Sequence, residues 1–189
     1  MAVDEVELAV GAGERVALMG ANGSGKSTLL RVIAGLQRAR SGTVAIDGAA
    51  AAGGPVTRGV VWVPQRQSPG RFPLRVSELL ESSGDRVAAA EAASLLGLAT
   101  LGRRPLGTLS GGQLQRAFIA RAVGGVAAGG TLLLADEPTA ALDFDGQAEI
   151  ARLLTSLPVT ILVATHDRAV AGACDRVVEM AAGRVREVA

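Results

Sequence analysis

Tyrosine is missing from this chain of 189 residues, and all aromatic residues together make up 2% of it. Any core must therefore be filled by Val, Leu and Ala rather than by packed rings. Cysteine occurs once, at Cys174, which excludes an internal disulfide and fits a reducing, cytoplasmic setting. Nothing beside Cys174 supports a nucleophile, so a small buried side chain is the expectation. No apolar run approaches the roughly 18 residues that a membrane-spanning helix requires. The opening MAVDEVELAV has neither the basic region nor the apolar stretch of a signal peptide. Neither sign of charge dominates: 19 basic against 18 acidic side chains leave a formal net charge of +1, with no basic block. The chain as a whole lacks the electrostatic footprint of a nucleic-acid binder, and Arg103-Arg104 reads as a solvated loop pair.

The scarcest cation is the most informative residue. Of 19 basic side chains only Lys26 is a lysine, and it lies in GANGSGKST, residues 20–28. This string matches G-x-x-x-x-G-K-[ST], the phosphate-binding loop. Backbone N–H groups of such a loop wrap the phosphates, and the cation must slide beside them as a compact point charge on a thin stem. A guanidinium is wider and carries its donors in a fixed fork. Gly20, Gly23 and Gly25 let the backbone approach the anion closely. Asn22 and Ser24 complete the loop, and Ser27 and Thr28 open a helix whose N-terminal dipole faces the same phosphates. A glycine-rich turn before an ordinary helix would look similar in isolation. The preceding RVALMG, residues 15–20, reads as a buried strand, and strand–loop–helix is the setting a phosphate loop needs.

The length suits one domain with a real core. Strands are expected at about 3–10 (alternating Val6, Leu8, Val10), 15–20, 42–46 with Asp47-Gly48 as a turn, 60–64, 131–136, 160–165, 176–180 and 184–188. Continuous apolar runs such as TLLLA and TILVA fit strands covered on both faces, as in a parallel sheet flanked by helices. Helices are expected at 27–35, 77–81, 85–96, 111–123, 145–156 and 167–172. The Ala- and Gly-rich stretches 49–54 and 122–130 read as loops. Between Gln65 and Leu109 the pattern is almost wholly helical, which suggests a small helical insert in an α/β core.

Residues 109–113 read LSGGQ and run into LQRAFIARAV. Ser110 suits an N-cap, and Gly111 and Gly112 expose amides at a helix start, a second anion-binding terminus. One ATP cannot be cradled by both termini of one subunit if they lie on different lobes, but two subunits head to tail could close two ATP molecules between them. Alone, the pentapeptide is no more than a capped helix. Placed between a phosphate loop and the run TLLLADE, it is specific, and the chain resembles the nucleotide-binding subunit of an ATP-binding cassette (ABC) transporter over about residues 6–187.

The resemblance implies a P-loop NTPase core, a mostly parallel sheet flanked by helices with an N-terminal antiparallel β portion. It adds a small helical subdomain at about 66–122, all within one domain of residues 1–189. ATP and Mg²⁺ are the implied cofactors. Residues 20–28 would hold the phosphates through Gly20, Asn22, Gly23, Ser24, Gly25, Lys26, Ser27 and Thr28, while Ser27, Gln65 and Asp136 would face Mg²⁺. Glu137 would be the general base, with Gln65 and His166 completing the catalytic group; His166 would contact the γ-phosphate. Ser110, Gly111, Gly112, Gln113 and Asp143 would reach nucleotide across a dimer. A strand-terminal Asp-Glu pair can be merely solvated, and a lone histidine is usually structural; the surrounding PTAALD and TILVAT are what favour the functional readings.

The resemblance also implies ATP hydrolysis that energises a separate transmembrane permease, with this chain peripheral on the inner face of the cell membrane. The partners would be a second copy or a homologous cassette. Permease docking is expected near Gln65 and residues 66–82. RRPLGT before LSGGQ looks importer-like, and FPLRVSELL is similar to metal-ion uptake cassettes. Two departures stand out. Family members carry an upstream strand with an aromatic that stacks on adenine, whereas Trp62, Phe72, Phe118 and Phe144 match other places. The chain also stops after the terminal hairpin. The expectation is a minimal cassette with weak discrimination between ATP and GTP. Two other classes compete: a soluble ABC ATPase acting on nucleic acid or ribosomes, and a non-hydrolysing nucleotide-dependent scaffold. Long coiled coils or a fused second cassette would mark the first, and neither occurs here. Loss of Glu137, Gln65 or His166 would mark the second. From the slot argument, Lys26→Arg should clearly lower both nucleotide affinity and turnover; near wild-type values in a binding titration and a phosphate-release assay would overturn the steric account.

Overall fold

The computed structural model describes residues 3–47, 49–50, 59–65 and 73–187. Strand β1 (Arg15–Met19) leads through a loop into α1 (Lys26–Ile33). A small hairpin follows, β2 (Ala45–Ile46) with β3 (Ala49–Ala50), and then β4 (Val60–Val63). Three helices come next: α2 (Val76–Glu81), α3 (Arg86–Leu95) and α4 (Gly111–Ala127). The chain returns to the sheet as β5 (Leu132–Asp136), α5 (Phe144–Ser156), β6 (Thr160–Ala164), α6 (Arg168–Gly172), β7 (Arg176–Ala181) and β8 (Arg184–Glu187).

The main sheet runs β4-β5-β6-β1-β7-β8. Its first five strands are parallel, and β8 closes the edge as an antiparallel hairpin partner of β7. Successive side chains of a strand point to opposite faces, and the core divides accordingly. Ala17, Leu133, Ala135, Ile161 and Val163 pack into one cluster with α4, α5 and α6. Val16, Leu18, Leu134, Leu162 and Ala164 pack into the other with Leu29 and Leu30 of α1. Burial on both faces is why these strands read as unbroken apolar runs.

The helical layer is built on small residues. Val76, Leu79 and Leu80 of α2, Ala89, Ala92 and Ala93 of α3, and Ala117 and Ala120 of α4 share the first cluster. The Asp85 carboxylate caps α3 by accepting from the N–H groups of Val87 and Ala88, each at 3.0 Å. An antiparallel bridge between Arg75 and Pro105, with Leu106 N–H donating to Leu74 O at 2.8 Å, fastens the start of α2 to the segment before α4.

Four expectations need correction. Residues 3–10 form no strand: Val6, Leu8 and Val10 are half-buried against the second cluster while Glu5, Glu7 and Ala9 are exposed, so the alternation holds. A ladder also needs a backbone partner, and among the described residues the segment has only Asp4 N–H donating to Gly183 O at 2.8 Å in the backbone-to-backbone class. The strand expected at 42–46 shrinks to Ala45–Ile46, leaving the two-residue hairpin as the antiparallel portion there. Finally, residues 122–127 are not a loop but the last turns of α4. Glycine is used there for closeness: a methyl at Gly124 would fall 2.5 Å from Ser83 Oγ, and one at Gly125 would lie 3.2 Å from Val61 Cγ2. Residue 49–50 pairing likewise replaces the start of the loop expected at 49–54, whose remainder, with Gly48 and Phe72, lies outside the described residues.

Leu134 is fully buried at the centre of β5. Leu134→Ala should lower unfolding free energy by about 2–5 kcal/mol, the usual range for a core leucine deletion, measured by urea denaturation; a change within experimental error would mean the second face is loosely packed.

Candidate nucleotide site

Parallel strands deliver their C-terminal ends to one edge of the sheet, the usual place for a ligand in an α/β fold. The loop of residues 20–25 follows β1 at this edge. Gly20 has φ 148°, and a methyl there would fall 2.1 Å from Met180 O of β7. Gly25, the residue before α1, sits at φ 112° and offers no side-chain cap, so the first amides of α1 are left for another acceptor. Gly23 is exposed at φ 81°, Asn22 is exposed, Thr28 is half-buried, and the Ser24 hydroxyl is buried with no partner among the described residues. The β7–β8 turn supports the loop from behind, with Gly183 N–H donating to Ser24 O at 3.0 Å.

Lys26 is 6% exposed. Its ammonium donates to Gly20 O at 2.6 Å and Ala21 O at 3.2 Å, which uses two of three donors and holds the charge inside the loop. Next to it, Ser27 Oγ donates to Asp136 Oδ1 at 3.0 Å. Asp136, the last residue of β5, is 1% exposed, and its Oδ2 is buried without a partner among the described residues. Burial raises its pKa above the usual carboxylate range, opposed by the Ser27 hydrogen bond and the charges of Arg31 and Lys26. One hydroxyl and one carboxylate oxygen still lacking a partner fit a hard cation such as Mg²⁺, which takes few protein ligands and completes its shell with phosphate and water.

Glu137 follows at once, 4% exposed, in the left-handed region at φ 49°. Such a conformation costs a non-glycine residue on the order of 1–3 kcal/mol and persists only when its surroundings fix it. They do: Glu137 N–H donates to Ala164 O at 2.8 Å, and Glu137 Oε2 lies 2.8 Å from His166 Nδ1 and 3.4 Å from the His166 amide. The imidazole is 68% exposed, so the dyad spans from the buried carboxylate to solvent. Gln65 is exposed just past the end of β4, on the strand adjacent to β5. The structure thus brings the 20–28 loop, Asp136, Glu137, His166 and Gln65 to one edge.

The remaining expected residues lie apart from that group. Ser110 caps α4 in a reciprocal box: its Oγ accepts from Gln113 N–H at 3.2 Å, and Gln113 Oε1 accepts from Ser110 N–H at 3.1 Å. No hydrogen bond among the described residues joins 110–113 to 20–28. Gly111 and Gly112 instead sit on Ala141 and Leu142; a methyl at Gly112 would lie 3.2 Å from Ala141 O. Asp143 caps α5, accepting from Gly146 N–H at 3.0 Å.

Sequence reasoning missed the links between these parts. Gln115 is 2% exposed and donates through Nε2 to Pro138 O at 2.7 Å, tying α4 to the residue after Glu137. Thr139 Oγ1 donates to Asp167 Oδ2 at 3.1 Å, and Asp167 caps α6 by accepting from Ala169 N–H at 2.8 Å. The available signal was a polar letter at 115 in the buried spacing 115, 119, 122 of α4. Cys174 is half-buried and its thiol is pushed up to about 11 by burial, as expected of an inert cysteine.

A phosphate loop between a parallel strand and a helix, with a serine–aspartate pair beside it, defines a nucleotide-binding α/β protein of the P-loop class. Its family follows from comparison: the model described as ABC transporter matches residues 3–140, and the chain belongs to that family. It is 37% identical to the hemin import ATP-binding protein HmuV of Rhodopseudomonas palustris, covering 97% of this chain and 75% of that protein. To the Fe(3+) ions import ATP-binding protein FbpC of Streptomyces avermitilis it is 40% identical, covering 98% and 57%. Relatives with export in their names match as well. Among solved structures, the dimeric post-hydrolysis state of the ATP-binding cassette MJ0796 bound to ADP and Pi superposes with TM-score 0.83 at 28% identity, covering 100% of this chain and 91% of that one. The mostly parallel α/β sheet is thus that of an ABC cassette.

Gln115→Leu should leave Pro138 O without its buried donor. The expected result is a stability loss of about 1–3 kcal/mol together with a fall in turnover larger than the fall in nucleotide affinity. Equal effects on affinity and turnover in steady-state assays would mean that Gln115 does not position Glu137.

Proposed function

We propose that this chain binds and hydrolyses MgATP to energise a membrane transporter, acting as a dimer with a second copy or a homologous cassette. The observation that carries this reading is the meeting of Lys26, Ser27, Asp136, Glu137 and His166 at one strand edge. Lys26 and the open amides of α1 would hold the phosphates. Ser27 and Asp136 would hold Mg²⁺, which neutralises charge on phosphoryl oxygens when bound. Glu137 would accept the proton of the attacking water, oriented by His166, whose exposed ring would reach the γ-phosphate. Gln65 would sense both the cation and the permease.

Ser110, Gly111, Gly112 and Gln113 would complete the site of the opposite subunit, because their own phosphate loop is not their hydrogen-bond partner. The dimeric neighbour bound to ADP and Pi supports this arrangement. Asp143 serves first as a helix cap, so its contribution across the dimer would come through the backbone it holds. Residues of α2 to α4, with those from about 66 to 122, would act as the helical subdomain that meets the permease. No helix among the described residues is long and apolar enough to cross a membrane, and the permease would hold the chain at the inner face. Import is the direction we favour, from the importer-like RRPLGT and the import relatives. A metal ion would be one cargo among several, since the relatives named for import differ in cargo.

Glu137→Gln tests the reading. The amide keeps the shape but cannot take the proton, so nucleotide binding should persist, turnover should fall by at least about 100-fold, and a dimer should accumulate with MgATP in gel filtration. Unchanged hydrolysis would remove Glu137 from the role of base.

A further inference from the structure

His166 is the sole histidine of the sequence, and its ring has little to hold it in place. The imidazole is 68% exposed, and among the described residues its one hydrogen-bonding partner is Glu137 Oε2, 2.8 Å from Nδ1. The residues on either side are fixed instead. Thr165 is fully buried, and its N–H donates to Leu18 O at 3.1 Å. Its Oγ1 accepts from Asp167 N–H at 3.0 Å, which closes a tight turn around His166. Asp167 then uses both carboxylate oxygens: Oδ1 accepts from Ala169 N–H at 2.8 Å and Oδ2 from Thr139 Oγ1 at 3.1 Å. Thr139 is 2% exposed and lies just past Glu137 and Pro138.

These contacts make a closed ring. It runs from Glu137 across to His166, along the chain to Asp167, across to Thr139 and back along the chain to Glu137. Two of its sides are covalent and two are hydrogen bonds. It is pinned to the sheet where Glu137 N–H donates to Ala164 O and where Thr165 N–H donates to Leu18 O. A helix cap needs only one acceptor from Asp167. The second oxygen, given to a buried threonine of the neighbouring loop, fixes the separation of the segments that leave β5 and β6. We propose that Thr139 and Asp167 are positioning residues, whose hydrogen bond holds the His166 ring with Nδ1 on Glu137 and Nε2 outward. This rests on the reading of Glu137 and His166 given above and adds the pair that sets their geometry. An ionised carboxylate only accepts, so the neutral ring must carry its proton on Nδ1 and present the Nε2 lone pair outward.

The lone histidine makes the test direct, because in the tag-free full chain its ring gives the only imidazole signals of a nitrogen NMR spectrum. In alkaline buffer, where an ordinary imidazole is neutral, the parent should show the Nδ1–H tautomer. Thr139→Val keeps the shape and removes the hydroxyl. It should shift His166 toward the Nε2–H tautomer that an unconstrained histidine favours. It should also lower kcat about 10- to 100-fold, the order expected when reacting groups are slightly misplaced, with KM for MgATP within about twofold of the parent. Thr139→Ser should restore both tautomer and kcat. In a His166→Ala background, Thr139→Val should lower kcat no further, as expected of residues acting as a unit. A parent in the Nε2–H form, a Thr139→Val chain with the parent's tautomer, or additive losses in the double variant would overturn the proposal. The first of these outcomes needs no variant to fold. Turnover that survives both Glu137→Gln and His166→Ala would instead overturn the proposed function, while the tautomer would still report whether Thr139 and Asp167 hold the ring.

Discussion

Parallel pairing of β4, β5, β6, β1 and β7 is the constraint on which the rest of the molecule depends. Because these strands run the same way, the segments that follow them emerge at one edge, whatever their distance along the chain. The register sets Asp136 opposite Ala164 and Ala164 opposite Leu18, so the ends of β5, β6 and β1 are level. A slip of one residue would exchange the faces, sending Leu134 and Leu162 toward α4 and α5 and Ala135 toward α1. The two cores resist that exchange, since each is shaped by a different set of helices. Packing far from the nucleotide edge thus fixes how far Ser27 stands from Asp136.

Polar groups at that edge are held in a setting where each matters. Lys26, Asp136 and Glu137 are nearly inaccessible, and an unpaired charge there is costly. The loop answers with backbone carbonyls for Lys26 and a hydroxyl for Asp136, and the segment after β6 supplies the His166 imidazole for Glu137. What remains open among the described residues is directed: the uncapped amides at the start of α1 and the Oδ2 of Asp136. Beyond it, Gln115 and Thr139 carry the position of α4 and α6 into the segment after the carboxylates. Movement of α4 would be felt at Pro138, next to Glu137.

How much of this could be read from the letters depends on the kind of signal. TLLLA and TILVA declared strands because both faces are covered, and the loop of Gly20 to Thr28 was recognisable because phosphate contact demands those residue types. The face of residues 3–10 was also legible from Val6, Leu8 and Val10. Its lack of a ladder was not, since alternation reports burial and says nothing of a neighbouring backbone. Gly124 and Gly125 looked like loop because glycine weakens an isolated helix; their value is the close approach to Ser83 and Val61, a tertiary fact. Gln115 passed unnoticed for the same reason, as its partner is a carbonyl that only the fold brings near. The contact of His166 with Glu137 likewise joins two strand ends that only the sheet makes adjacent.

The solitary lysine has a practical side. Lys26 is the sole side-chain amine in the sequence, and it is almost wholly enclosed by its loop. Reagents that acylate amines scatter over the surface of most proteins and average many environments. Here the only side-chain target is the phosphate cradle, so the extent of labelling would read the accessibility of that one loop. The same scarcity means that attachment chemistries relying on surface lysines would find none, and that a charge-neutralising modification of lysine could act on this chain only by silencing the cradle itself.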